Sequence, residues 1–228
     1  MESKLWVIVP AAGESRRFKE AGYFTPKPLL KIRDNGGLSL RMVTHVIANL
    51  PPVTCRDVIV GLPAGVEPVV PFYKYLSIIN TEGQADTVFQ MIQKLPFDDS
   101  VLVLDCDMML EPNDIQKLID LLQIYDVTVA VAETFDPNSS RVDSVPFPTR
   151  FVEKEPISQY GIVGARGFKK IRNLTQAIVR ANIDIHTELY LSHAMNYCMG
   201  TKYAHIVTEF TDLGTPERIR EIGWEIVS

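Results

Sequence analysis

Three basic residues near the start of the chain follow a loop of small residues. Residues 10–13 read PAAG, Arg16 and Arg17 come soon after them, and Lys27 lies between two prolines. Small side chains let a ligand approach the backbone N–H groups of such a turn, and a helix starting there adds the positive end of its dipole. Arginine contributes a forked donor that is always charged, and lysine a compact point charge. The combination predicts an anion site, for which a polyphosphate is the obvious ligand.

The two prolines beside Lys27 restrict the backbone conformation at this site. Pro26 and Pro28 fix the local backbone and disfavour helix, so we expect the lysine to be held on a stiff, extended segment. Any one of these cations alone would be interpreted as a solvated surface residue, and only their combination favours a site. Neither GxxxxGK[ST] nor GxGxxG occurs in the chain, so the loop is neither a Walker loop nor a dinucleotide-binding turn.

Two further candidates, Asp105 and Asp107, follow the most apolar strand pattern of the chain, VLVL at 101–104. Residues two apart on a strand point the same way, and ligands bind at the carboxyl ends of parallel strands. Two carboxylates there suit Mg²⁺, which takes one or two protein carboxylates together with phosphate oxygens and water. The alternative is that one of them caps the next turn. Asp212 is ambiguous alone, because the surrounding DLGTPE also suits a helix start.

Other site chemistries lack their sequence patterns. The four histidines show neither HxH nor HExxH spacing, so a zinc site is not expected. No GxSxG occurs, which argues against a serine nucleophile. The net charge of −5 disfavours general binding of nucleic acid, so any basic site must be local.

Composition places the chain among cytoplasmic globular proteins. With 228 residues and 46% hydrophobic content, it can bury a large core. The N-terminus lacks a signal-peptide pattern, and no stretch approaches the ~20 apolar residues of a membrane span. The three cysteines lie far apart without a CxxC pair, which predicts reduced thiols in the cytoplasm.

Alternating strands and helices are expected to position the candidate residues. Predicted strands lie at 5–9, 57–62, 101–104 and 126–132, and predicted helices at 38–50 and from Pro112. This alternation predicts an α/β fold of three layers, with helices on both faces of a mostly parallel, mixed central sheet. The rhythm changes from about 133, where we expect a loop at 135–147 and an inserted or antiparallel strand at 160–168. One domain over residues 1–228 is the simplest account.

Taken together, the motifs resemble the signature of the sugar-phosphate nucleotidylyltransferases. That family writes AAGxGxR followed by PKPL, and this chain has AAGESRRF at 11–18 and PKPLL at 26–30. Weaker matches follow in the family's order, within a resemblance that covers about residues 4–220: GQA at 83–85, LVLDCDM at 102–108, FVEK at 151–154, YGI at 160–162, HTEL at 186–189 and DLGTPE at 212–217.

Three positions depart from the family's pattern. Ser15 replaces the second glycine of the loop, Cys106 replaces the glycine before the metal aspartate, and Glu155 replaces the proline of VEKP. The resemblance therefore determines the reaction better than the substrate.

The resemblance implies a Rossmann-like, GT-A-like nucleotidyltransferase fold that joins an NTP to a phosphorylated sugar, with Mg²⁺ as cofactor and pyrophosphate as product. Surface polysaccharide biosynthesis is the expected context. A nucleotide-binding half would span about 1–132 and an acceptor-binding half about 133–228. The implied residues are Arg17 and Lys27 for catalysis; Ala11, Ala12, Gly13, Glu14, Ser15, Arg16, Gly83, Gln84 and Ala85 for nucleotide binding; Asp107, Asp212 and Asp105 for metal; and Glu153, Lys154, Gly161 and Glu188 for the acceptor.

Other functions stay open from the residues. A GT-A-type glycosyltransferase could use Asp105 and Asp107 as a DxD metal site, although Arg17 and Lys27 would then have no role. A non-catalytic nucleotide-binding relative is the other alternative. Gln84 leaves the base open, and the acceptor is expected to be a hexose phosphate before an alcohol phosphate such as phosphocholine. We expect neither nucleic acid nor membrane insertion, and a homo-oligomer is left open.

Overall fold

The structure is a computed structural model, and it describes residues 3–52, 58–67, 74–78, 81–185 and 188–227. Among these residues a central sheet of nine strands is covered by helices on both faces. The predicted three-layer α/β fold with a mixed sheet is confirmed.

The strands are mostly three to seven residues long. In chain order they are β1 (Leu5–Pro10), β2 (Lys31–Arg33), β3 (Ser39–Arg41), β4 (Val58–Pro63), β5 (Lys74–Ile78), β6 (Ser100–Leu104), β7 (Met108–Leu110), β8 (Val127–Glu133), β9 (Ser140–Val142), β10 (Phe151–Glu153), β11 (Tyr160–Phe168), β12 (Lys202–Ile206), β13 (Phe210–Asp212) and β14 (Glu225–Val227). The helices are α1 (Arg16–Glu20), α2 (Met42–Ala48), α3 (Gln84–Ile92), α4 (Pro112–Leu121), α5 (Ile171–Asp184), α6 (Leu191–Tyr197) and α7 (Pro216–Glu221), with one 3₁₀ turn at Lys27–Leu29.

The parallel half of the central sheet brings two site-bearing loops to one edge. β1 lies between β4 and β6 and is parallel to both, and Ile8 pairs with Val103 in the β1–β6 register. β1 and β6 therefore end side by side, and the loops after them open at the same edge. On its other side β6 pairs antiparallel with β11, which also pairs with β8 and β9.

Each face of the sheet has its own apolar core. On one face, α3, α5 and α6 pack through buried side chains such as Val88, Leu174 and Ala194. On the other face, α2 and α4 pack through side chains such as Val46 and Leu118. Burial on both faces explains why β1 and β6 are continuous apolar runs rather than alternating ones.

A third, smaller cluster connects the start of the chain to its C-terminal segment. β7 pairs antiparallel with β13, while β2 pairs with both β3 and β14. Six buried side chains join α1, the short strands and α7: Phe18, Leu30, Ile32, Met42, Leu213 and Ile219. Phe18 follows the N-terminal loop, and Leu213 follows Asp212. Because both lie in this cluster, it holds the segment around Asp212 close to the N-terminal loop.

Two of the predicted elements are wrong in part. The helix predicted at 38–50 begins only at Met42, because residues 39–41 pair with β2 across a turn in which the Asp34 side chain accepts from the N–H groups of Gly36 and Leu38. The predicted loop at 135–147 contains β9, which pairs with β10. Its short, polar sequence carried no strand pattern. Asp57, His186 and Thr187, which belong to predicted segments, lie outside the described residues.

No helix in the described part of the chain combines the length and the apolar character needed to cross a membrane.

Candidate active site

The loop after β1 leaves backbone N–H groups available to a ligand. Ala11 donates to the Gly61 carbonyl at 2.9 Å, whereas the N–H groups of Gly13, Glu14 and Ser15 have no hydrogen-bond acceptor among the described residues. Nothing lies within 4 Å of where a Gly13 Cβ would be, so the space beside the loop is open. Three N–H groups without an acceptor, beside open space at Gly13, make this loop suitable for binding an anion.

Ser15 explains the departure from the family's second glycine. It takes φ 58° and ψ 32°, the left-handed region that glycine occupies most readily. Its Oγ accepts from the Lys27 N–H at 2.9 Å, a contact that glycine cannot make. Ser15 therefore has a strained backbone conformation. Its hydroxyl connects the loop at residues 11–15 to the Pro26–Lys27–Pro28 segment.

Lys27 begins a 3₁₀ turn rather than the extended segment predicted from its neighbouring prolines. Only the residues at its two ends, Pro26 and Leu30, are extended, each with ψ 132°. The N–H groups of Leu29 and Leu30 bond to the carbonyls of Pro26 and Lys27. Pro28 fits because its missing N–H falls in the first turn, where no intrahelical acceptor exists. The segment is still rigid, and it directs the lysine towards the end of β6.

Lys27 and Asp107 form the central ion pair of the site. Lys27 Nζ lies 2.6 Å from Asp107 Oδ2, with side chains 19% and 17% exposed. Burial alone would lower the pKa of the lysine, but the Asp107 charge holds that pKa above its ordinary value. Burial would likewise raise the pKa of Asp107, but Lys27, assisted by the charge of Arg17, keeps it below its ordinary value. Both groups are therefore charged at neutral pH.

The β7–β13 pair brings Asp212 next to Asp107. Asp212 lies opposite Met108, and Leu213 N–H donates to the Asp107 carbonyl at 2.7 Å. A Cβ on Gly214 would lie 2.8 Å from Asp212 Oδ1 and 3.2 Å from Asp107 Oδ2. The carboxylates of Asp107 and Asp212 thus lie on either side of Gly214. A larger residue at position 214 would fill the space between them.

These carboxylates fit a divalent cation that phosphate oxygens help to bind. Hard cations such as Mg²⁺ take oxygen ligands and commonly use one or two protein carboxylates. Among the described residues no group of three or more His, Cys, Asp or Glu side chains could hold a metal ion. Any ion bound by Asp107 and Asp212 would therefore need further ligands from a substrate or water.

Arg218, which sequence reasoning missed, neutralises Asp212. Its guanidinium bridges the carboxylates of Asp212 and Asp136. It lies in α7, whose N-cap Thr215 accepts from the Arg218 N–H at 3.2 Å. The arginine directly after DLGTPE was the available signal, but nothing in the sequence identified its partners.

The two consecutive arginines have different surroundings. Arg16 pairs with Glu14 at 3.3 Å, and both side chains are more than three-quarters exposed. Arg17 is exposed and has no acidic partner within the described residues. Lys19 and Phe24 line a cleft of about 270 Å³ together with residues 12–15. Arg17 does not line this cleft, but its charge acts on the nearby Lys27–Asp107 pair.

Asp105 faces a different partner from Asp107, although both had been predicted as metal ligands. Arg166 Nη1 lies 2.9 and 3.0 Å from its two carboxylate oxygens, and Gln84 Nε2 donates to Oδ1 at 2.7 Å. Cys106 between the two aspartates is buried, and burial raises the pKa of its thiol to about 12. The thiol is therefore neutral, and Cys106 packs as a small residue of the core.

The Gly83–Ala85 segment packs against the predicted acceptor segment. Gly83 has φ 118°, and a Cβ there would lie 2.9 Å from the Leu189 carbonyl oxygen. Ala85 N–H donates to the same carbonyl at 3.1 Å. Gly83 is thus required for the close approach of the start of α3 to the backbone of Leu189 and the side chain of Glu188.

The predicted acceptor residues Glu153, Lys154 and Glu188 form two groups of contacts. Lys154 and Glu188 share one partner, Tyr190, and Glu153 has partners of its own. Lys154 Nζ donates to Tyr190 Oη at 2.9 Å, and Tyr190 Oη donates to Glu188 Oε2 at 2.6 Å. Glu153 accepts from the hydroxyls of Ser140 and Ser192. Lys154 itself has φ 57°. Tyr190 was missed, because an isolated tyrosine carries no motif.

Close packing of β11 against the end of β8 explains why position 161 is a glycine. A Cβ at this position would lie 2.3 Å from Thr134 Cγ2, so only glycine allows β11 to lie this close to the end of β8. Its structural position therefore accounts for the glycine without any contact to a ligand.

Comparison with known proteins identifies the family of the chain. The model of the MobA-like NTP transferase domain matches residues 7–181. No curated protein sequence matches the chain.

Solved structures of similar fold cover nearly the whole chain. The nucleoside-diphosphate-sugar pyrophosphorylase from Vibrio cholerae RC9 is 19% identical, with a TM-score of 0.72 over 95% of this chain and 98% of that one. UTP-bound UGPase from Acinetobacter baumannii is 15% identical, with a TM-score of 0.73 over 97% and 92%. The inositol-1-phosphate CTP transferase from T. maritima is 11% identical, with a TM-score of 0.69 over 96% and 94%.

At these identities the structures establish the fold, and the domain model establishes the family. The loop at residues 11–15, the Lys27–Asp107 pair and Asp212 lie together at one edge of the central sheet. The chain belongs to the MobA-like NTP transferase domain family and is a nucleotidyltransferase.

Proposed function

We propose that the protein joins an NTP to a phosphorylated sugar, giving a nucleoside-diphosphate sugar and pyrophosphate. The observation that carries this proposal is the meeting of Lys27, Asp107 and Asp212 beside an open phosphate loop. This arrangement offers positive charge, carboxylates for a divalent cation and free N–H donors within one edge of the sheet. Phosphoryl-group chemistry needs this set, because catalysis consists mainly of positioning and charge neutralisation.

In the proposed reaction, an oxygen of the acceptor phosphate attacks the α-phosphorus of the NTP. A new P–O bond forms while the bond between the α-phosphorus and the bridging oxygen breaks, and the electron pair leaves with pyrophosphate. The loop N–H groups of Gly13 to Ser15 and the charge of Arg17 bind the β- and γ-phosphates. Lys27 moves from Asp107 towards the α-phosphate and neutralises the charge that develops there.

Asp107 and Asp212 are the residues that would hold Mg²⁺. The ion, when bound, would polarise phosphate oxygens and offset their negative charge. Asp107 is already charged in this structure, because Lys27 holds its pKa below the ordinary value. Lys27 and Arg218, which neutralise the two carboxylates in this structure, would be free to interact with substrate phosphates instead.

For the acceptor we propose the surface around Glu153, Lys154 and Glu188. Lys154 supplies a cation for a phosphate, and the carboxylates accept from sugar hydroxyls. A hexose 1-phosphate fits this set better than an alcohol phosphate, because two carboxylates suit several hydroxyl donors. Formation of nucleotide sugars would place the protein in the cytoplasm, where NTPs are available, and in a route towards surface polysaccharides.

The glycosyltransferase alternative is the weaker candidate. It needs both Asp105 and Asp107 on one metal ion, whereas Asp105 is paired with the buried Arg166. It also gives no role to the phosphate loop or to Lys27.

The test is a matrix of UTP, CTP, GTP, ATP and dTTP against hexose 1-phosphates and phosphocholine, with Mg²⁺ and the purified protein. Pyrophosphate is measured with a coupled pyrophosphatase. We expect pyrophosphate only where both an NTP and an acceptor are present, and only with the divalent cation. Release of nucleoside diphosphate from a nucleotide sugar, with an empty matrix, would support the glycosyltransferase instead.

A further inference from the structure

A second cleft lies beside the turn that carries Lys27, and none of the residues assigned to the proposed active site lines it. Its volume is about 420 Å³, and its walls come from residues 22–25, the end of the 3₁₀ turn, β2, β3 and β14. Tyr23 and Phe24 are its aromatic residues, and Lys31 and Arg41 are its charged residues. The volume is typical of small-molecule sites, which measure roughly 300–1,000 Å³.

The two cations of this second cleft lie opposite each other without an acidic partner. Lys31 and Arg41 are paired in the antiparallel register of β2 and β3, so their side chains are on the same face of the strands. Among the described residues neither forms an ion pair, and none of those that line the cleft is acidic. Like charges placed directly opposite destabilise a pair of strands. The cleft therefore has an excess of positive charge that an anion would neutralise.

The neighbouring residues of the same small sheet show that this excess is local. Arg33 lies two residues after Lys31, on the same face of β2. It is opposite Glu225 of β14 and pairs with it at 3.4 Å, whereas Lys31 is opposite Val227. The sheet thus supplies a carboxylate to Arg33 and leaves the two cations that line the cleft without one.

Arg41 is held in place by the turn that carries Lys27. Its Nη1 donates to the Leu29 carbonyl at 2.6 Å, and the Met42 N–H after it donates to the Leu30 carbonyl at 2.9 Å. The side chain is half-buried, and its remaining N–H groups have no acceptor in the part of the chain that the structure describes. A guanidinium fixed on one side can offer its other donors to a phosphate with little further loss of conformational entropy.

The aromatic side of the second cleft suits a planar ring. Phe24 is 81% exposed, although it is a large apolar side chain. Tyr23 packs edge-to-face against the buried Phe18, with ring centroids 6.4 Å apart, which restricts its position. A ring that stacks on these side chains covers apolar surface that water otherwise contacts. Phe24 also lines the cleft beside residues 12–15, so the two clefts are neighbours with different charged residues.

We propose that the second cleft is a further binding site, which takes a small molecule with a phosphate group attached to a planar ring. Lys31 and Arg41 bind the phosphate, and Tyr23 and Phe24 contact the ring. Two cations suit the double negative charge of a phosphate monoester. The proposal does not depend on the proposed function, because it uses none of the residues assigned there.

The test is an NMR titration of the isotope-labelled protein with phenyl phosphate, without nucleotide or divalent cation. Inorganic phosphate and phenol are the comparison probes, since each carries one half of the proposed ligand. The backbone amides of Lys31, Arg41 and Val227 report on the second cleft, and that of Gly13 reports on the other one. We expect the three amides to shift with one dissociation constant. Phenyl phosphate should bind roughly 3–10-fold more tightly than inorganic phosphate, the effect of an aromatic contact.

Lys31→Ala is the main variant, because this exposed lysine has no partner among the described residues whose loss would disturb the fold. We expect phenyl phosphate to bind roughly tenfold more weakly, the effect of losing one hydrogen bond to a charged group. Arg33→Ala is the matched control, since it removes an equal charge from the same face of β2 outside the cleft, and it should bind normally. Phe24→Ala should abolish the preference for phenyl phosphate over inorganic phosphate. Thermal melting verifies that each variant is folded.

Three results would overturn the proposal. If only the Gly13 amide shifts, the phosphate binds at the loop of residues 11–15 and the second cleft is not a site. If Lys31→Ala and Arg33→Ala weaken binding equally, the effect is a general attraction by surface charge. If phenyl phosphate binds no better than inorganic phosphate, or phenol shifts the same amides, the ligand is not a phosphate attached to a planar ring.

Discussion

Two buried aspartates in this protein hold basic partners in contrasting ways. Asp107 meets Lys27 at the open edge of the sheet, beside a loop with free N–H groups. Asp114, at the start of α4, accepts from His205 Nε2 at 2.7 Å and from the N–H and hydroxyl of Thr208 at 3.0 and 2.9 Å. The first pair lies beside N–H groups without acceptors, and under the proposed function a ligand would replace one of its partners. The second pair is closed by donors from its own chain. The comparison teaches that burial of an ion pair does not by itself identify a ligand-binding site. Unpaired hydrogen-bond donors beside the pair are the better indication.

The most severe test of this comparison is Lys27→Ala. We expect kcat for pyrophosphate release to fall on the order of 100-fold or more, because the charge that neutralises the α-phosphate is lost. The melting temperature should fall only modestly, because the Asp107 carboxylate that loses its partner is 17% exposed rather than fully buried. Lys117→Ala, an exposed lysine on α4, is the control and should keep native turnover. Normal turnover by Lys27→Ala would contradict its assignment as a catalytic residue.

Asp114→Asn should give the opposite result, a loss of stability without a loss of turnover. Burial would raise the pKa of Asp114, but its bonds from Thr208 and His205 hold that pKa below the ordinary 3.8. We expect about 1–3 kcal/mol less stability at pH 7 by urea unfolding, the worth of hydrogen bonds to a charged group. Asp120→Asn, exposed on the same helix, should be neutral.

The pH dependence follows from the lowered pKa of Asp114. Its stabilisation is fully present above pH 3.8 and is lost as the pH falls through the lower value of the folded state. The difference between native protein and Asp114→Asn in urea unfolding should therefore shrink below about pH 3.8. A difference that stayed constant down to pH 2 would mean that the charge of Asp114 does not matter.

Tyr190→Phe tests the acceptor side at a smaller scale. Loss of the hydroxyl frees Lys154 and Glu188 from each other, so we expect KM for the acceptor to rise roughly 3–10-fold with kcat and KM for the NTP unchanged. Tyr197→Phe removes a hydroxyl that donates to Asp184 elsewhere and serves as control. An equal rise in both KM values would mean that the tyrosine supports the whole site rather than the acceptor.

The smallest effect is expected for Arg218→Ala. Arg218 neutralises Asp212 in this structure, so its removal should increase the affinity of the protein for Mn²⁺, measured by EPR, about 2–5-fold. Arg220→Ala, whose exposed partner is Glu217, should leave that affinity unchanged. Weaker Mn²⁺ binding by Arg218→Ala would show that the arginine holds Asp212 in place for the ion instead of competing with it.

Local patterns predicted much of the fold and part of the site. Apolar runs identified β1 and β6, because strands buried on both faces must be apolar throughout. The small residues before Arg16, the spacing to Lys27 and the aspartates after β6 indicated a phosphate site before any contact was known. Short elements escaped prediction, as with β9 and β13, because three residues carry no period.

Partners across the fold could not be predicted in the same way. Asp105 and Asp107 look alike in the sequence, and neither pattern nor spacing shows that one faces Arg166 and the other Lys27. Tyr190 and Arg218 carry no motif, and their contacts depend on how α6 and α7 dock. Such contacts follow from packing of the whole chain, which local propensity does not encode.

The sequence by itself determined which chemical groups lie near the N-terminus: a loop of small residues, two arginines and a lysine between two prolines. Only the tertiary structure decided which residues from the rest of the chain lie beside these groups. The β7–β13 pairing and the cluster around Phe18 and Leu213 bring Asp212 to Asp107, and Arg166, directly after a bulge in the pairing of β11 with β8, pairs with Asp105 instead. The physical reason is that a residue type fixes charge and hydrogen-bonding capacity locally, whereas its partner is chosen by strand register and core packing over long distances in the chain.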